Sequence, residues 1–253
     1  LATKNSKKML RKLLTFLLII GLNNVFAQKI HSHNDYVQAR PFWEAYESGA
    51  NSIEADVFLV DGKLYVAHEK KEINPDRTLE KLYLEPLDKI LKSKKRQELQ
   101  ILIDLKTSAE PTLQAVSEAI QKYPKLAKAY SNKKYIKFVI SGNRPSITEY
   151  SKNPSYIFFD HQSLSDLSKG DKSKIALVSF SFGSFSKWKG QQPITDEEKL
   201  KLRTIIDSVH TYGYPIRFWA TPDTPLAWKT LNYLSVDFIN SDNPRASKAF
   251  FAK

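Results

Sequence analysis

Short apolar runs alternate with helix-like stretches eight times along this chain, and that alternation limits the folds open to it more than any other feature. The runs are Lys29 to His33, Ser52 to Val60, Glu98 to Leu105, Tyr135 to Ile140, Tyr156 to Asp160, Ile175 to Phe180, Ile216 to Ala220 and Val236 to Asn240. Between them lie Arg40 to Ser48, Thr78 to Leu91, Ser108 to Lys122, a short helix near Ser146, another from Leu164, Thr195 to Tyr212 and Pro225 to Leu234, with Pro244 to Ala252 last. Leu79, Leu82, Leu87 and Leu91 recur at helical spacing, and Pro86 is expected to divide that helix. Strands separated by helices imply parallel β-α units. Eight such units predict a single-domain α/β fold, the TIM (β/α)8 barrel. An open doubly wound sheet would want a Gly-rich phosphate loop after its first strand, and none follows His33.

The 253 residues are 42% hydrophobic, enough for a sizeable core. The N-terminus needs separate treatment. Arg11 and Lys12 precede an apolar run, Leu13 to Leu22, and then Val25-Phe26-Ala27. That order predicts a signal peptide over residues 1–27, with residues 1–8 upstream of a true start at Met9, the only methionine. The run falls short of the roughly 20 apolar residues of a membrane span. The barrel would then occupy 28–253, exported to the periplasm or the cell exterior. The formal charge is +12, of which Lys4, Lys7, Lys8, Arg11 and Lys12 supply five. A basic surface favours anionic small molecules, lipids and peripheral membrane contact. No RNA-binding signature or zinc-finger spacing suggests a nucleic-acid partner. There is no cysteine, which excludes disulfides, a thiolate nucleophile and Cys-ligated zinc.

The second run carries acids where a buried strand wants apolar residues. Side chains two apart on a strand share a face. His31 pairs with His33 in this way, Glu54 with Asp56, and Asp104 with Lys106. The opposite faces carry Ile53, Ala55, Val57, Ile101, Ile103 and Leu105, suited to pack outward on helices. Barrel sites lie at the C-terminal ends of the strands, so these pairs are expected at one mouth. Asp61-Gly62 is a two-residue hairpin signal that returns Lys63 to Ala67 and brings up His68. Three carboxylates together call for a cation between them, and oxygen ligands favour Mg²⁺ or Ca²⁺ over zinc. The histidines can instead join the ligand set. The bland alternative is an ion-pair cluster of Lys106 with Asp104 and Glu54.

These residues resemble the PLC-like phosphodiesterase superfamily, which includes glycerophosphodiester phosphodiesterases, phosphatidylinositol-specific phospholipases C and spider-venom phospholipases D. The motif residues are His33, then Gly49-Ala50 leading to Ile53-Glu54-Ala55-Asp56-Val57, then Asp61-Gly62-Lys63-Leu64-Tyr65-Val66-Ala67-His68, followed by Asp104-Leu105-Lys106 and Trp219. His31 to Tyr36, HSHNDY, is similar to the branch that includes altered-inheritance-of-mitochondria proteins. The chain departs from the glycerophosphodiesterase pattern at Asn34-Asp35, where that pattern has Arg-Gly, and at Asp104, where it usually has Glu. The resemblance implies metal-dependent hydrolysis of glycerophosphodiesters or phospholipid head groups. It implies one divalent cation, Ca²⁺ or Mg²⁺, on Glu54, Asp56 and Asp104, with Lys106 beside the phosphate and His33 and His68 as base and acid. His31 is the alternative to His33 in that catalytic role, or else supports the site from behind it; His31, Asn34, Arg217 and Trp219 are expected around the substrate. Asn240 and Asp242 either line the mouth or cap the next helix, and Asp160 is a weaker candidate; His161 and His210 are expected to be structural. A different class of function, a non-catalytic barrel that binds anionic lipid or glycan at the cell surface, would use the basic charge alone.

Overall fold

The computed structural model describes residues 28–92, 97–133 and 136–252. The expected leader and the basic cluster Lys94-Lys95-Arg96 lie outside the described residues. Strands β1 (Lys29–Ser32), β2 (Ser52–Val60), β4 (Leu99–Leu105), β5 (Ile136–Gly142), β6 (Ile157–His161), β7 (Ile175–Ser181), β8 (Ile216–Trp219) and β9 (Phe238–Ser241) follow one another in a parallel sheet. The pairing of β1 with β2 closes that sheet into a barrel. β3 (Lys63–Val66) is the ninth strand and pairs antiparallel with β2. Asp61 and Gly62, at φ 47° and 73°, form the tight turn between them. The (β/α)8 architecture is the one the alternation predicts.

Helices α1 (Trp43–Ser48), α2 (Glu85–Leu91), α3 (Ala109–Gln121), α4 (Pro124–Lys133), α5 (Asp196–Thr211), α6 (Pro225–Tyr233) and α7 (Pro244–Phe251) surround the barrel. Pro86 does not break its segment in two: a five-residue π-turn, Glu80–Leu84, runs without interruption into α2, with Leu84 and Glu85 both helical and Pro86 in the first turn. The acids Asp196, Glu197 and Glu198 open α5, and the Thr195 hydroxyl accepts from the Glu198 amide. Thr224 and Asn243 cap α6 and α7 in the same way, each before a proline at the first helical position. After β5 and β6 the connections shrink to 3₁₀ turns, Ile147–Lys152, Leu167–Lys169 and Lys172–Lys174. α4 has no counterpart among the expected elements. Among the described residues no helix is long and apolar enough to cross a membrane.

Burial follows the period-two logic of the strands. Ile53, Ala55, Val57, Ile101, Ile103 and Leu105 are buried in one cluster with Leu113, Val116 and Ile120 of α3. Burying each large side chain stabilises the fold by about 1.5–3 kcal/mol. Inside the barrel a separate small cluster, Val139, Phe158, Leu177 and Phe238, contributes an apolar part of the interior. Other interior positions carry charged or polar side chains, among them Glu54, Asp160, Arg217, Ser141, Ser179 and Asn240, and they build the site.

Candidate active site

The register of β2 against β4 pairs Asp56 directly with Asp104. Glu54 lies on the same face of β2, two residues nearer its start. The three carboxylates offer ligand oxygens that all lie within 4.8 Å of one another. Glu54 and Asp56 are buried. Asp56 Oδ2 accepts from the Tyr36 hydroxyl at 2.9 Å and pairs with Lys106 Nζ at 3.0 Å, with His68 Nδ1 at 3.3 Å. Asp56 Oδ1 is buried with no hydrogen-bond partner. Burial, then the charge of Glu54, raises the Asp56 carboxyl above its ordinary range, and Lys106 only partly offsets them. Burial opposes charge on Lys106 itself, but Asp104 and Asp56 outweigh it and hold its pKa up. On β5, Gly142 lies opposite Leu105 and adopts φ 66°, and a Cβ there would lie 1.8 Å from Asp104 Oδ1. Only glycine leaves that carboxylate its place.

Glu54 belongs to a second set of partners on the interior floor. His31 is fully buried, with Nδ1 2.6 Å from Ser52 Oγ and Nε2 3.0 Å from Glu54 Oε2. Arg217 Nη1 lies 2.6 Å from the same Nε2 and 3.9 Å from Glu54 Oε2. Burial, then the Arg217 charge, lowers His31 to about 4, so it is neutral near pH 7. Burial alone would raise Glu54, but its hydrogen bond to His31 and the Arg217 cation hold it well below the usual range. Arg217 also donates to Ser179 Oγ at 3.2 Å, to Asn240 Oδ1 at 3.2 Å and to Asp160 Oδ2 at 3.3 Å. Its guanidinium is therefore committed inside the barrel rather than open to a substrate. Trp219, two residues on, is 41% exposed at the end of β8. The expected pair between Lys106 and Glu54 does not form: Lys106 pairs with Asp104 and Asp56, each at 3.0 Å. The cation closest to the deeper Glu54 is Arg217.

The mouth carries two histidines. His33 Nδ1 is 2.6 Å from Asp242 Oδ1, so Asp242 lines the mouth, while Asn243 caps α7. Burial works against a charged His33. The Asp242 hydrogen bond and the Glu54 and Asp242 charges outweigh it and raise its pKa. His68 Nδ1 is 3.3 Å from both Asp56 Oδ2 and the Tyr36 hydroxyl. Among the described residues, neither ring has a partner on Nε2. The Tyr36 hydroxyl is 2.8 Å from Asn34 Oδ1, and the Arg77 guanidinium donates to the Tyr36 carbonyl. Asp35 ties the same loop down: its carboxylate accepts from Ser32, from the Phe42 amide and from Tyr83, and burial pushes it up to about 6. His161 is held by Tyr150 and Asp166, and His210 by Asp237, away from the carboxylate cluster. Tyr36 is the site residue that sequence reasoning passed over. It lies within the HSHNDY stretch, but its contact with Asp56 depends on Asn34 turning left-handed at φ 45°.

The interior charges state what the site can hold. Glu54, Asp56, Asp104 and Asp160 face Lys106 and Arg217, and His31 is neutral, so negative charges exceed positive ones by two. Clustered oxygens, a bare buried oxygen on Asp56 and an excess of two charges fit a hard divalent cation.

Barrel and site together define a single-domain (β/α)8 protein with a cation-sized acidic mouth flanked by two histidines. A family model described as the AIM6-like phosphodiesterase domain matches residues 21–99. The Arthroderma benhamiae "altered inheritance of mitochondria protein 6 homolog" is 28% identical over 88% of this chain and 83% of its own length. A Saccharomyces cerevisiae protein of the same name is 27% identical over 85% of this chain and 68% of its own. A glycerophosphodiester phosphodiesterase from Parabacteroides distasonis shares the fold at a TM-score of 0.59 and 16% identity, covering 89% of this chain and 96% of that one. A Ca²⁺-dependent phosphatidylinositol-specific phospholipase C from Streptomyces antibioticus does so at 0.57 and 11%, covering 89% and 95%. The superfamily resemblance read from the motifs fits these matches.

Proposed function

We propose that the chain is a metal-dependent phosphoric diester hydrolase acting on glycerophosphodiesters or phospholipid head groups. The observation that carries this reading is Asp56: a buried acid between two others, with one oxygen fully engaged and the other bare. Glu54, Asp56 and Asp104 would hold one cation, Ca²⁺ or Mg²⁺, which when bound supplies positive charge to phosphate oxygens as they gain charge in the transition state. Lys106, between Asp56 and Asp104, adds a second fixed charge at the same place. His33 and His68 each keep Nδ1 on a carboxylate, which leaves Nε2 to move protons. One Nε2 takes the proton of the attacking hydroxyl, from water or from the substrate, as the new P–O bond forms. The other gives a proton to the departing alkoxide oxygen as the old P–O bond breaks. His31 and Arg217, out of the substrate's reach, keep Glu54 ionised. Trp219, at the rim, walls the leaving alcohol.

The match to a phosphodiesterase domain supports this reaction class, and the Ca²⁺ dependence named for the Streptomyces protein makes Ca²⁺ the first ion to test. The leader-like residues 9–27 support export, and the charge of +7 left on residues 28–253 (12 − 5) supports brief contact with an anionic membrane surface. Hydrolysis of bis-p-nitrophenyl phosphate is expected to stop in EDTA and to return with Ca²⁺ or Mg²⁺. Undiminished turnover in EDTA would end the metal reading, and full activity in both His33→Ala and His68→Ala would end the acid–base one.

A further inference from the structure

Beside the carboxylate cluster, at the ends of β4 and β5, lies a cavity of about 610 Å³ lined by Lys106, Thr107, Ser108, Ala109, Asn143 and Arg144. It shares Lys106 with the cluster, so it begins where the proposed diester's phosphate would sit. Its lining holds two cations and no acid. Lys106 is balanced by Asp56 and Asp104. Arg144 has no such pair: among the described residues no carboxylate lies within ion-pair distance of it, and it acts on the buried Asp160 only at longer range. Its Nε donates to the Tyr150 hydroxyl at 3.0 Å and its Nη1 to the Gly142 carbonyl at 3.3 Å. Tyr150 is fully buried and stacks on Phe159 at 3.8 Å between centroids, so the frame that holds the guanidinium is rigid and neutral. Arg217 makes the contrast plain, because its charge is answered by Asp160 within the barrel. Arg144 Nη2, the Ser108 hydroxyl and the Asn143 amide have no protein partner among the described residues.

A half-buried, pre-oriented guanidinium with free donors around it suits an oxyanion. A carboxylate has two oxygens to offer, whereas a phosphate monoester has three and matches donors from three side chains. We propose that this cavity is an anion subsite which binds a phosphate monoester carried on the diester substrate beside the scissile phosphate. Substrates would then be phosphodiesters whose attached alcohol is itself phosphorylated. The proposal rests on the phosphodiesterase reading for its consequence, but not for the binding itself.

The test compares glycerophosphoglycerol with the same diester bearing a terminal phosphate monoester, with Ca²⁺ or Mg²⁺ present. The terminal phosphate is expected to lower KM at least about tenfold, the size of one charge-assisted hydrogen bond. Arg144→Gln should erase most of that ratio and Arg144→Lys should restore part of it. Should Arg144→Gln fail to fold, Ser108→Ala combined with Asn143→Ala reduces the same ratio without touching the Tyr150 frame. Equal KM values for the two diesters in the wild type overturn the proposal. A parallel calorimetric titration of glycerol 3-phosphate into EDTA-treated protein separates the two readings. Binding that weakens about tenfold in Arg144→Gln, with neither diester hydrolysed, keeps the subsite and removes the phosphodiesterase. With neither diester hydrolysed, binding indifferent to Arg144 removes both.

Discussion

Two aspartates inside the barrel each keep one carboxylate oxygen hydrogen-bonded and the other bare: Asp56 near the mouth and Asp160 on β6. Burial is the first cause that raises both. Their neighbours differ. Asp160 has Arg217 at 3.3 Å and the Ser141 hydroxyl at 3.0 Å, and nothing of it reaches solvent. Asp56 shares Lys106 with Asp104 and also feels Glu54. The protein supplies the cation for one aspartate, and for the other it leaves a deficit of positive charge. A sealed ion pair is structural, whereas an underpaired acid near an open mouth is a place for something to bind.

The comparison can be broken by substitution. The largest effects should fall on turnover at the mouth, where His33→Ala and His68→Ala each lower kcat by about 10²–10⁴-fold with little change in melting temperature. Across the barrel the effect should be on stability. Asp160→Asn removes the shorter of the two ion pairs of buried Arg217, leaving only Glu54 at 3.9 Å, and should cost about 3–5 kcal/mol by chemical denaturation. Asp56→Asn removes like-charge repulsion, so in EDTA it should leave stability unchanged or raise it by about 1 kcal/mol, while abolishing turnover with metal. If both aspartate variants destabilise equally in EDTA, the distinction between the two regions fails.

The smallest effect concerns pH. The Asp242 contact raises His33 above its ordinary 6.5. A raised histidine contributes stability that is fully present below 6.5 and lost as pH rises through the higher folded value. Asp242→Asn should therefore narrow the stability gap between pH 5 and pH 8, and in the pH–rate profile move the His33 limb to lower pH. An unmoved limb would mean that His33 does not titrate in turnover.

The barrel was legible because a period of two sorts Ile53, Ala55 and Val57 from Glu54 and Asp56 whatever the tertiary context, and because Asp61-Gly62 dictates its own turn. The same rule aligned Asp104 with Lys106. Depth within the barrel was not legible. Which cation meets Glu54 depends on how β8 is staggered against β1 and β2, and a single strand carries no record of that. The contact between His33 and Asp242 spans the junction where the last strand closes on the first, 209 residues apart. Tyr36 reaches Asp56 only through a left-handed Asn34, a conformation that asparagine allows but does not announce. In the loop between β7 and α5, Trp188 is buried and Phe185 packs on Phe180 and Phe218, contacts that composition alone does not reveal.

The most direct measurement is a calorimetric titration of Ca²⁺, and separately of Mg²⁺, into EDTA-stripped protein, in the wild type and in Asp104→Asn. One bound ion per chain, with affinity reduced at least about tenfold in the variant, is the result expected of a site made by Glu54, Asp56 and Asp104. No binding by the wild type, or binding that ignores Asp104→Asn, would contradict it.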